Sequence, residues 1–427
     1  MLVPRGYQLK EALWHYENLK KYMISYLAWE ERTGKSLTAC LVCEMAKVQH
    51  ILVITKAKAK ANWEELVADK CLTKDYQVVT YGAPHKFLGR PDIVILDEAH
   101  NYISGYPKPS ATWLSIKSIT HGVPIIYLSA TPHAQGYQML YHQFALSSWS
   151  PWVKYSTFYN WFKTYGIQRQ IKIHDRWVNQ YDTVNEDFVT DTCSHLFSYK
   201  TRKELGFQHE PVDKIHWIEL SEETKTIYNS IIKDKVLAYN KRMILCDTPI
   251  KLRTTLHQLE GGTIKQTLMG VDCDKVVHCL GGKAVKLVSE KIKDAKICHA
   301  YFVLDNNEKV DYILKTWGDT DQLCIMYNYI GEEYKLRSTF KHAVILQATS
   351  YAEGVDLAHI EDIVVYSQDF STARHTQRRA RQASKDRSTP IKVNFLLVKK
   401  AISYQVYDTV SVNKKNYVDS SFKRELL

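Results

Sequence analysis

The sequence lacks the features that mark membrane and secreted proteins. Its 427 residues contain no apolar run approaching the roughly 18 residues that a membrane-spanning helix needs. The segment from Met1 to Gln8 lacks the charged stretch followed by an apolar stretch that forms a signal peptide. We therefore expect a cytoplasmic protein with no membrane partner.

The cysteines lack the pairing and spacing of a disulfide framework. They are nine, an odd number, and they are scattered along the chain, which favours reduced thiols. Cys40 and Cys43 fall on one predicted helix and are expected in the core. A second group could in principle meet at a zinc ion: Cys273, His278, Cys279, Cys298 and His299. The short CxxC spacing of structural zinc sites is absent from that group, which argues against zinc there.

Length and charge set the broad class. A chain of 427 residues is too long for one ordinary core, so two domains are expected. A hydrophobic content of 45% and a charged content of 24% are those of a soluble globular protein. The net charge of +11 favours a polyanionic partner, and nucleic acid is the first candidate. Many enzymes are equally basic, so the charge alone does not identify the partner and sequence motifs are needed.

The stretch from Pro91 to His100 combines a buried strand with two carboxylates. Ile93 to Leu96 are apolar and mostly β-branched, which predicts a strand buried on both faces of a parallel sheet. Asp97 and Glu98 follow at once, where ligands of open parallel sheets bind. One carboxylate there can hold Mg²⁺ on a nucleotide, and a second can polarise a water for attack on phosphate. A solvated acidic turn is the alternative that this stretch alone leaves open.

Gly34, Lys35 and Ser36 are typical of the end of a phosphate-binding loop. In such a loop backbone N–H groups cradle phosphate, the lysine reaches the β/γ oxygens and the serine hydroxyl ligates Mg²⁺. The strict pattern has a further glycine five residues before Gly34, where Trp29 stands. A phosphate loop, then a strand, then an acid-tipped strand is the order that a nucleotide-binding sheet requires.

Three further strands are predicted in the first half, in the stretches Ile51–Thr55, Gln77–Tyr81 and Pro124–Pro132. The first of them is followed by lysines, and Thr55, Lys56, Lys58 and Lys60 suit contacts with a phosphate backbone. A solvated basic helix start explains these lysines equally well. The last strand ends in hydroxyls, of which Ser129 and Thr131 can hydrogen-bond the acid cluster and report phosphate state to the neighbouring domain.

Residues 137–165 are dense in aromatic side chains, which can stack on bases but at this density must mostly pack a core or a domain junction. After them the alternation from Ile167 to Val178 predicts a projecting β-hairpin with Arg169 and Arg176 available to DNA. A strand-separating element and a plain surface hairpin are both compatible with this pattern.

The second half again alternates strands with helices, which implies another parallel sheet. Its predicted strands are Ile215–Leu220, Gln322–Tyr327, Ala343–Gln347 and Asp362–Tyr366. Ser221 begins a capping signature for the helix that follows, and a helix is predicted from Asn306 to Trp317. About 240–304 is expected to be a helical or irregular insert, with one helix from Lys283 to Lys293.

Four ordered motifs make the first half similar to a known family. Tyr7-Gln8, Gly34-Lys35-Ser36, Asp97-Glu98-Ala99-His100 and Ser129-Ala130-Thr131 resemble the first RecA-like domain of superfamily-two helicases and translocases. The residues around these motifs most resemble the Swi/Snf-like branch, particularly its small bacteriophage members. A phage protein of this kind would act in the cytoplasm of the host cell. The resemblance implies an α/β fold of two RecA-like parallel-sheet domains in tandem, with inserted helical and hairpin elements.

The resemblance also implies roles for individual residues. ATP contacts would come from Arg5, Gln8, Thr33, Gly34, Lys35, Ser36 and Gln377, and Mg²⁺ contacts from Ser36 and Asp97. Coupling between ATP and nucleic acid would involve His100, Ser129, Thr131, Gly354 and Asp356, with Thr349 on the nucleic acid. Arg378 and Arg381 would complete catalysis from the second domain by neutralising the transferred phosphate. Ser384 stands where relatives carry the second arginine, so Arg378 or Arg387 would substitute.

These expectations define a working hypothesis and its rivals. We predict a RecA-like domain over 1–150, an aromatic extension over 151–212 and a second RecA-like domain over 213–427. With ATP and Mg²⁺, the protein would act as a monomeric helicase or translocase on single-stranded, forked or branched DNA in recombination, replication or repair. An RNA helicase, a duplex translocase without strand separation and a DNA-binding module with a decayed ATP site are the alternatives.

Overall fold

The protein is described from a computed structural model over 3–133, 136–173, 176–239, 242–270, 273, 284–292, 295–348, 357, 359–372, 375, 379, 389–413 and 417. The chain divides into two compact units, Met1–Gln208 and His209–Leu427. Each unit is built on a parallel sheet with helices, which confirms the expected α/β fold with two parallel-sheet domains in tandem along the chain. Among the described helices, none combines the length and the apolar character needed to cross a membrane.

The first unit contains a six-stranded sheet in which every pairing is parallel, in the order β3-β2-β4-β5-β1-β8. Its strands are β1 (Ile24–Trp29), β2 (His50–Thr55), β3 (Asp75–Thr80), β4 (Ile93–Asp97), β5 (Ile125–Leu128) and β8 (Phe197–Lys200). Its helices are α1 (Gly6–Tyr22), α2 (Lys35–Met45), α3 (Lys60–Val67), α4 (Ala111–Thr120), α5 (Leu140–Ala145), α6 (Phe158–Tyr165) and α7 (Glu186–Cys193). The predicted strands are confirmed, and β1 and β8 were not anticipated.

Alternate residues of these strands fill two separate cores. Leu27, Val53 and Ile95 pack with α1 and α2 on one face of the sheet. On the other face the aromatic segment around Trp152 and Trp161 covers the sheet, and both indoles are buried. The expectation that the aromatics of 137–165 serve mainly as core is therefore confirmed.

The predicted hairpin is present as β6 (Arg169–Ile173) and β7 (Arg176–Gln180), which pair antiparallel. An isolated bridge between Gly166 and Val184 continues the ribbon towards α6 and α7. Gly166 is required there, because a Cβ at this position would lie 2.4 Å from the ring of Phe162.

The second unit contains a five-stranded parallel sheet in the order β16-β15-β17-β18-β9. These strands are β9 (Pro211–Ile218), β15 (Leu323–Tyr327), β16 (Val344–Gln347), β17 (Asp362–Val365) and β18 (Ile391–Val398). The helices are α8 (Glu222–Asp234), α9 (Pro249–Glu260), α10 (Glu308–Thr316), α11 (Ile330–Thr339) and α12 (Ile402–Tyr407). The predicted Ser221 cap is confirmed, since its Oγ accepts from the Thr224 backbone N–H at 3.2 Å.

The prediction for the insert was right for α9, which is helical, and wrong for the rest. It contains an antiparallel sheet in the order β12-β14-β13 and a hairpin of β10 with β11. The strands are β10 (Val236–Tyr239), β11 (Arg242–Leu245), β12 (Thr263–Met269), β13 (Lys286–Ile292) and β14 (Ala295–Val303). The stretch predicted as a helix from Lys283 to Lys293 thus contains β13, because its pairing along β14 outweighs its local helical pattern.

The prediction of uniformly reduced cysteines was also wrong. Cys273 and Cys298 form a disulfide across 25 residues of chain, a pairing that spacing alone cannot reveal. His299 contacts the Thr267 hydroxyl and the Glu290 carboxylate, each at 3.0 Å. Within the described ranges no cluster of three metal-ligating side chains occurs, and His278 and Cys279 lie outside those ranges. Cys40 and Cys43 are buried as expected.

His15 makes the first unit sensitive to acid. Its ring is fully buried on α1 with Nδ1 2.7 Å from the Ser25 hydroxyl, and burial lowers its pKa from 6.5 to about 3. The unfolded chain therefore takes up a proton below pH 6.5 that the folded chain refuses until pH 3. The stability that the neutral ring contributes is complete above pH 6.5 and is lost as the pH falls.

We predict that replacing this pair by His15→Leu with Ser25→Ala flattens the pH dependence. Relative to the variant, the wild type should lose about 1.4 kcal/mol of unfolding free energy per pH unit below the ordinary histidine pKa. Urea unfolding at several pH values between 7.5 and 4 measures this difference, in which other acid effects cancel. If the unfolding free energy of the two proteins depended on pH in the same way, buried neutral His15 would not be the source of the acid sensitivity.

Candidate active site

The predicted phosphate loop joins β1 to α2. Gly34 caps α2 with φ +84°, and Lys35 is the first helical residue. A Cβ at Gly34 would lie 2.4 Å from Nε2 of Gln8, so glycine is required for both conformation and space. Backbone N–H groups at such a helix start form an anion-binding site.

Lys35 is held inside the loop. Its Nζ donates to the backbone carbonyls of Trp29 at 2.7 Å and Glu30 at 3.0 Å. Only 9% of the residue is exposed. The ammonium group is thus fixed at the loop by neutral acceptors, where it can exchange those carbonyls for phosphate oxygens.

Trp29 explains how the loop forms without the missing glycine. It is the last residue of β1, and its fully buried indole packs 5.9 Å from the His15 ring and donates to the Ser198 hydroxyl at 2.9 Å. The side chain therefore belongs to the layer under α1 and leaves the loop itself unobstructed.

The N-terminal motif supports the loop directly. The Tyr7 hydroxyl donates to the Thr33 carbonyl at 2.8 Å, and Gln8 Nε2 donates to the Gly34 carbonyl at 3.2 Å. Gln8 Oε1 accepts from the Arg5 backbone N–H at 2.9 Å. The Thr33 hydroxyl donates to the Glu30 carbonyl at 2.7 Å and closes the loop from within. The amide of Gln8, expected above among the ATP contacts, thus supports the loop in this structure.

Asp97 is oriented by two donors. Its Oδ2 accepts from the Thr55 hydroxyl at 2.7 Å and from the Trp63 indole N–H at 2.9 Å. Among the described residues, none donates a hydrogen bond to Oδ1 of Asp97. This oxygen is therefore available to bind a divalent cation. Thr55 is fully buried, so the residue expected among nucleic-acid contacts is placed on the acid instead. Sequence reasoning missed Trp63, whose place on α3 next to β2 was its only signal.

Glu98 has a left-handed backbone with φ 51° and ψ 40°, which is rare for a residue other than glycine. Its backbone N–H donates to the Leu128 carbonyl at 2.8 Å, and its Oε2 lies 3.4 Å from His100 Nδ1. Backbone strain of this kind clusters at functional sites.

His100 connects the acid pair to the residues after β5. Its Nδ1 lies 2.7 Å from the Ser129 hydroxyl and its Nε2 lies 3.4 Å from that of Thr131. Burial, with the charges of Lys56 and Lys35, lowers the pKa of His100 from 6.5 to about 4. The ring is therefore neutral near pH 7. The structure brings His100, Ser129 and Thr131 together, and their role in coupling stays a prediction.

The remaining predicted residues fall into two groups. Among the described ones, Lys56 is half-buried, Lys58, Arg169 and Arg176 are exposed, and Lys60 pairs with Glu64 at 3.2 Å. Ser36 is half-buried at the start of α2. Outside the described residues lie Thr349, Gly354, Asp356, Gln377, Arg378, Arg381, Ser384 and Arg387, whose roles stay predictions. In the same segment Arg379 pairs with Asp213 at 2.6 Å, a structural contact within the second unit.

Sequence reasoning also missed an arginine beside the loop. Arg202 follows β8 and is 7% exposed. Its backbone N–H donates to Glu30 Oε2 at 2.7 Å, and its guanidinium lies 3.7 Å from the same oxygen and 3.6 Å from Glu31 Oε2. The loop predicted to bind phosphate thus carries two carboxylates, and the guanidinium of Arg202 compensates their negative charge.

The comparisons with known proteins include a likeness to a solved structure. A Sulfolobus solfataricus SWI2/SNF2 ATPase core domain is similar to this chain with 12% identity and a TM-score of 0.41, covering 97% of this chain and 89% of that one. No family model matches the chain. No curated protein matches it. At this identity and TM-score, the functional argument rests on the site geometry alone.

We predict that Arg202→Met destabilises the first unit by about 3 kcal/mol, since removing one partner of a buried ion pair leaves the other uncompensated. Adding Glu30→Gln and Glu31→Gln should recover most of the loss, as measured by urea unfolding in a mutant cycle. Lys20→Met, which removes the exposed Lys20–Glu17 pair, is the control and should leave stability unchanged. Equal effects of Arg202→Met in both backgrounds would contradict the compensation.

Proposed function

We propose that the protein is a nucleic-acid-dependent ATPase that acts as a DNA helicase or translocase. The observation that carries the proposal is the convergence of a lysine-bearing loop, an acid pair and a histidine–hydroxyl cluster at one edge of a parallel sheet. The carboxyl ends of β1, β2, β4 and β5 all meet at this edge, which is where open α/β sheets bind ligands.

The residues present fit ATP and its metal. Lys35 and the N–H groups at the start of α2 would bind the phosphates, and Ser36 with Asp97 would hold Mg²⁺. The metal supplies charge neutralisation at the phosphates when it is bound. Glu98 would accept a proton from the attacking water, and the Lys35 ammonium would stabilise the charge that develops on the phosphoryl oxygens.

The proposal extends to nucleic acid. The net charge of +11 and the exposed Lys58, Arg169 and Arg176 suit a polyanion. The His100 cluster links Glu98 to the residues after β5, so that a change at the phosphates can alter that segment. Forked or branched DNA is the substrate that we favour, and RNA or unopened duplex are the rivals. Arg378 and Arg381 keep their predicted role as sources of positive charge in catalysis.

We predict that Lys35→Ala and Glu98→Gln each lower DNA-stimulated ATP hydrolysis by a factor of about 100 or more, because each removes a group that acts at the phosphates or on the attacking water. DNA binding should persist. Turnover measured with single-stranded, duplex, forked and four-way-junction DNA and with RNA gives the substrate class. Lys70→Ala, at an exposed lysine on the segment after α3, is the control. Unchanged turnover in Lys35→Ala and Glu98→Gln would end the proposal.

We also predict a metal phenotype for the donors to Asp97. Trp63→Phe or Thr55→Val should raise the Mg²⁺ concentration for half-maximal ATPase activity about tenfold or more, as losing a partner of a metal-binding carboxylate does. Trp113→Phe is a matched control, because it removes an indole hydrogen bond to the His142 carbonyl at 2.6 Å elsewhere in the same unit. Identical Mg²⁺ curves for Trp63→Phe and Trp113→Phe would contradict the assignment.

A further inference from the structure

A cavity lies at the base of the hairpin, between β6, β7 and α6. Its volume is about 610 Å³, within the range of about 300–1,000 Å³ that small-ligand sites occupy. Aromatic, amide and basic side chains line it: Tyr159, Tyr181, Gln170, Asn179, Lys163 and Arg169. We propose that this cavity binds an unpaired nucleotide of a DNA strand.

Two tyrosines offer a platform for a base. Tyr159 is 39% exposed, and its ring lies 5.3 Å from that of Tyr181 in an edge-on arrangement at 78°. Tyr181 is in turn packed edge-on, 5.1 Å away, against the buried Phe162. The platform is thus fixed from below and open from above, as stacking on a base requires.

The amides supply groups for the base edge. Gln170 Nε2 donates to Asn179 Oδ1 at 2.8 Å across the two strands. This bond uses one donor and one acceptor, so it leaves the Gln170 carbonyl oxygen and the Asn179 amide nitrogen for a ligand. An adjacent donor and acceptor is the pair that base edges present.

The charges favour a phosphate. Lys163 and Arg169 are both exposed beside the cavity. None of its nine lining residues carries a carboxylate, so a phosphodiester would meet positive charge only. A free acidic peptide would also be attracted, but stacking and paired amides fit a base.

The base of the ribbon is held rigidly. The Gly166 backbone N–H donates to the Phe162 carbonyl at 2.7 Å, and the Asn185 backbone N–H donates to the Tyr165 carbonyl at 2.8 Å. Tyr165 and Val184 are buried beneath the ribbon. A preformed site of this kind binds without the cost of ordering a loop.

The assignment rests on the proposed function in one respect, that DNA is the partner. It is tested by fluorescence anisotropy of labelled (dT)20 with the full chain and without ATP, so that binding is read apart from hydrolysis. Tyr159→Leu should raise Kd about 5- to 100-fold through the lost stacking. Tyr159→Phe should stay within twofold of the wild type, since the ring remains. Lys163→Gln should lower the slope of log Kd against log salt by about 0.7.

Controls separate the cavity from the rest of the surface. Tyr404→Leu, at a tyrosine that is 38% exposed in the second unit, and Lys70→Gln should bind as the wild type does. Affinity for a 20-base-pair duplex should be unaffected by Tyr159→Leu. Thermal melting of each variant verifies folding, and the exposed Lys163 provides a second test if Tyr159→Leu does not fold.

Several outcomes would overturn the inference: no binding of (dT)20 by the wild type, a Kd for Tyr159→Leu within twofold of wild type, an equal loss for duplex, or tighter binding of (rU)20 than of (dT)20. Failure of the proposed function appears differently. Absence of nucleic-acid-stimulated ATPase activity in the wild type would end that proposal, while a Kd that depends on Tyr159 would still establish the cavity.

Discussion

The candidate site of the first unit depends on parallel strands that end together. Asp97 of β4 pairs with Leu128 of β5, and the Ser129 backbone N–H donates to the Leu27 carbonyl of β1 at 3.2 Å. Because both faces of these strands are buried in separate cores, a slip of one residue would exchange the two sets of side chains. The apolar cores therefore fix the register, and the register places the loop, the acids and the hydroxyls at one edge.

At that edge the charges are held by neutral or opposite partners. Backbone carbonyls hold the Lys35 ammonium, hydroxyl and indole donors hold Asp97, and Arg202 compensates the two carboxylates of the loop. His100 adds no buried charge that would need such a partner, because burial lowers the pKa of its ring and keeps the ring neutral. A site organised in this way has its dipoles in place before a substrate enters, which is the arrangement that stabilises developing charge most effectively.

Sequence reasoning recovered what short local patterns encode. The strand ending at Asp97 and the helix starting at Lys35 were predicted because apolar runs and loop motifs are contiguous. It missed Arg202, which lies 172 residues from Glu30, because such a contact exists only after β8 joins the sheet. It misread β13 because a strand in a small antiparallel sheet depends on its partner strand more than on its own pattern. The disulfide between Cys273 and Cys298 was missed because it too depends on a contact between residues that are distant in the sequence.

The backbone of Glu98 shows what this arrangement costs. In the sheet order, β2 and β5 lie on opposite sides of β4. Asp97 takes its donors from the β2 side, while Glu98 faces His100 and through it the residues after β5. An extended chain would send successive side chains to opposite faces of the sheet, so both can remain at its edge only if the backbone turns at once. The left-handed conformation makes that turn at a cost of about 1–2 kcal/mol. Glycine would adopt it without strain but would supply no carboxylate, so the retained strain supports the role proposed for Glu98.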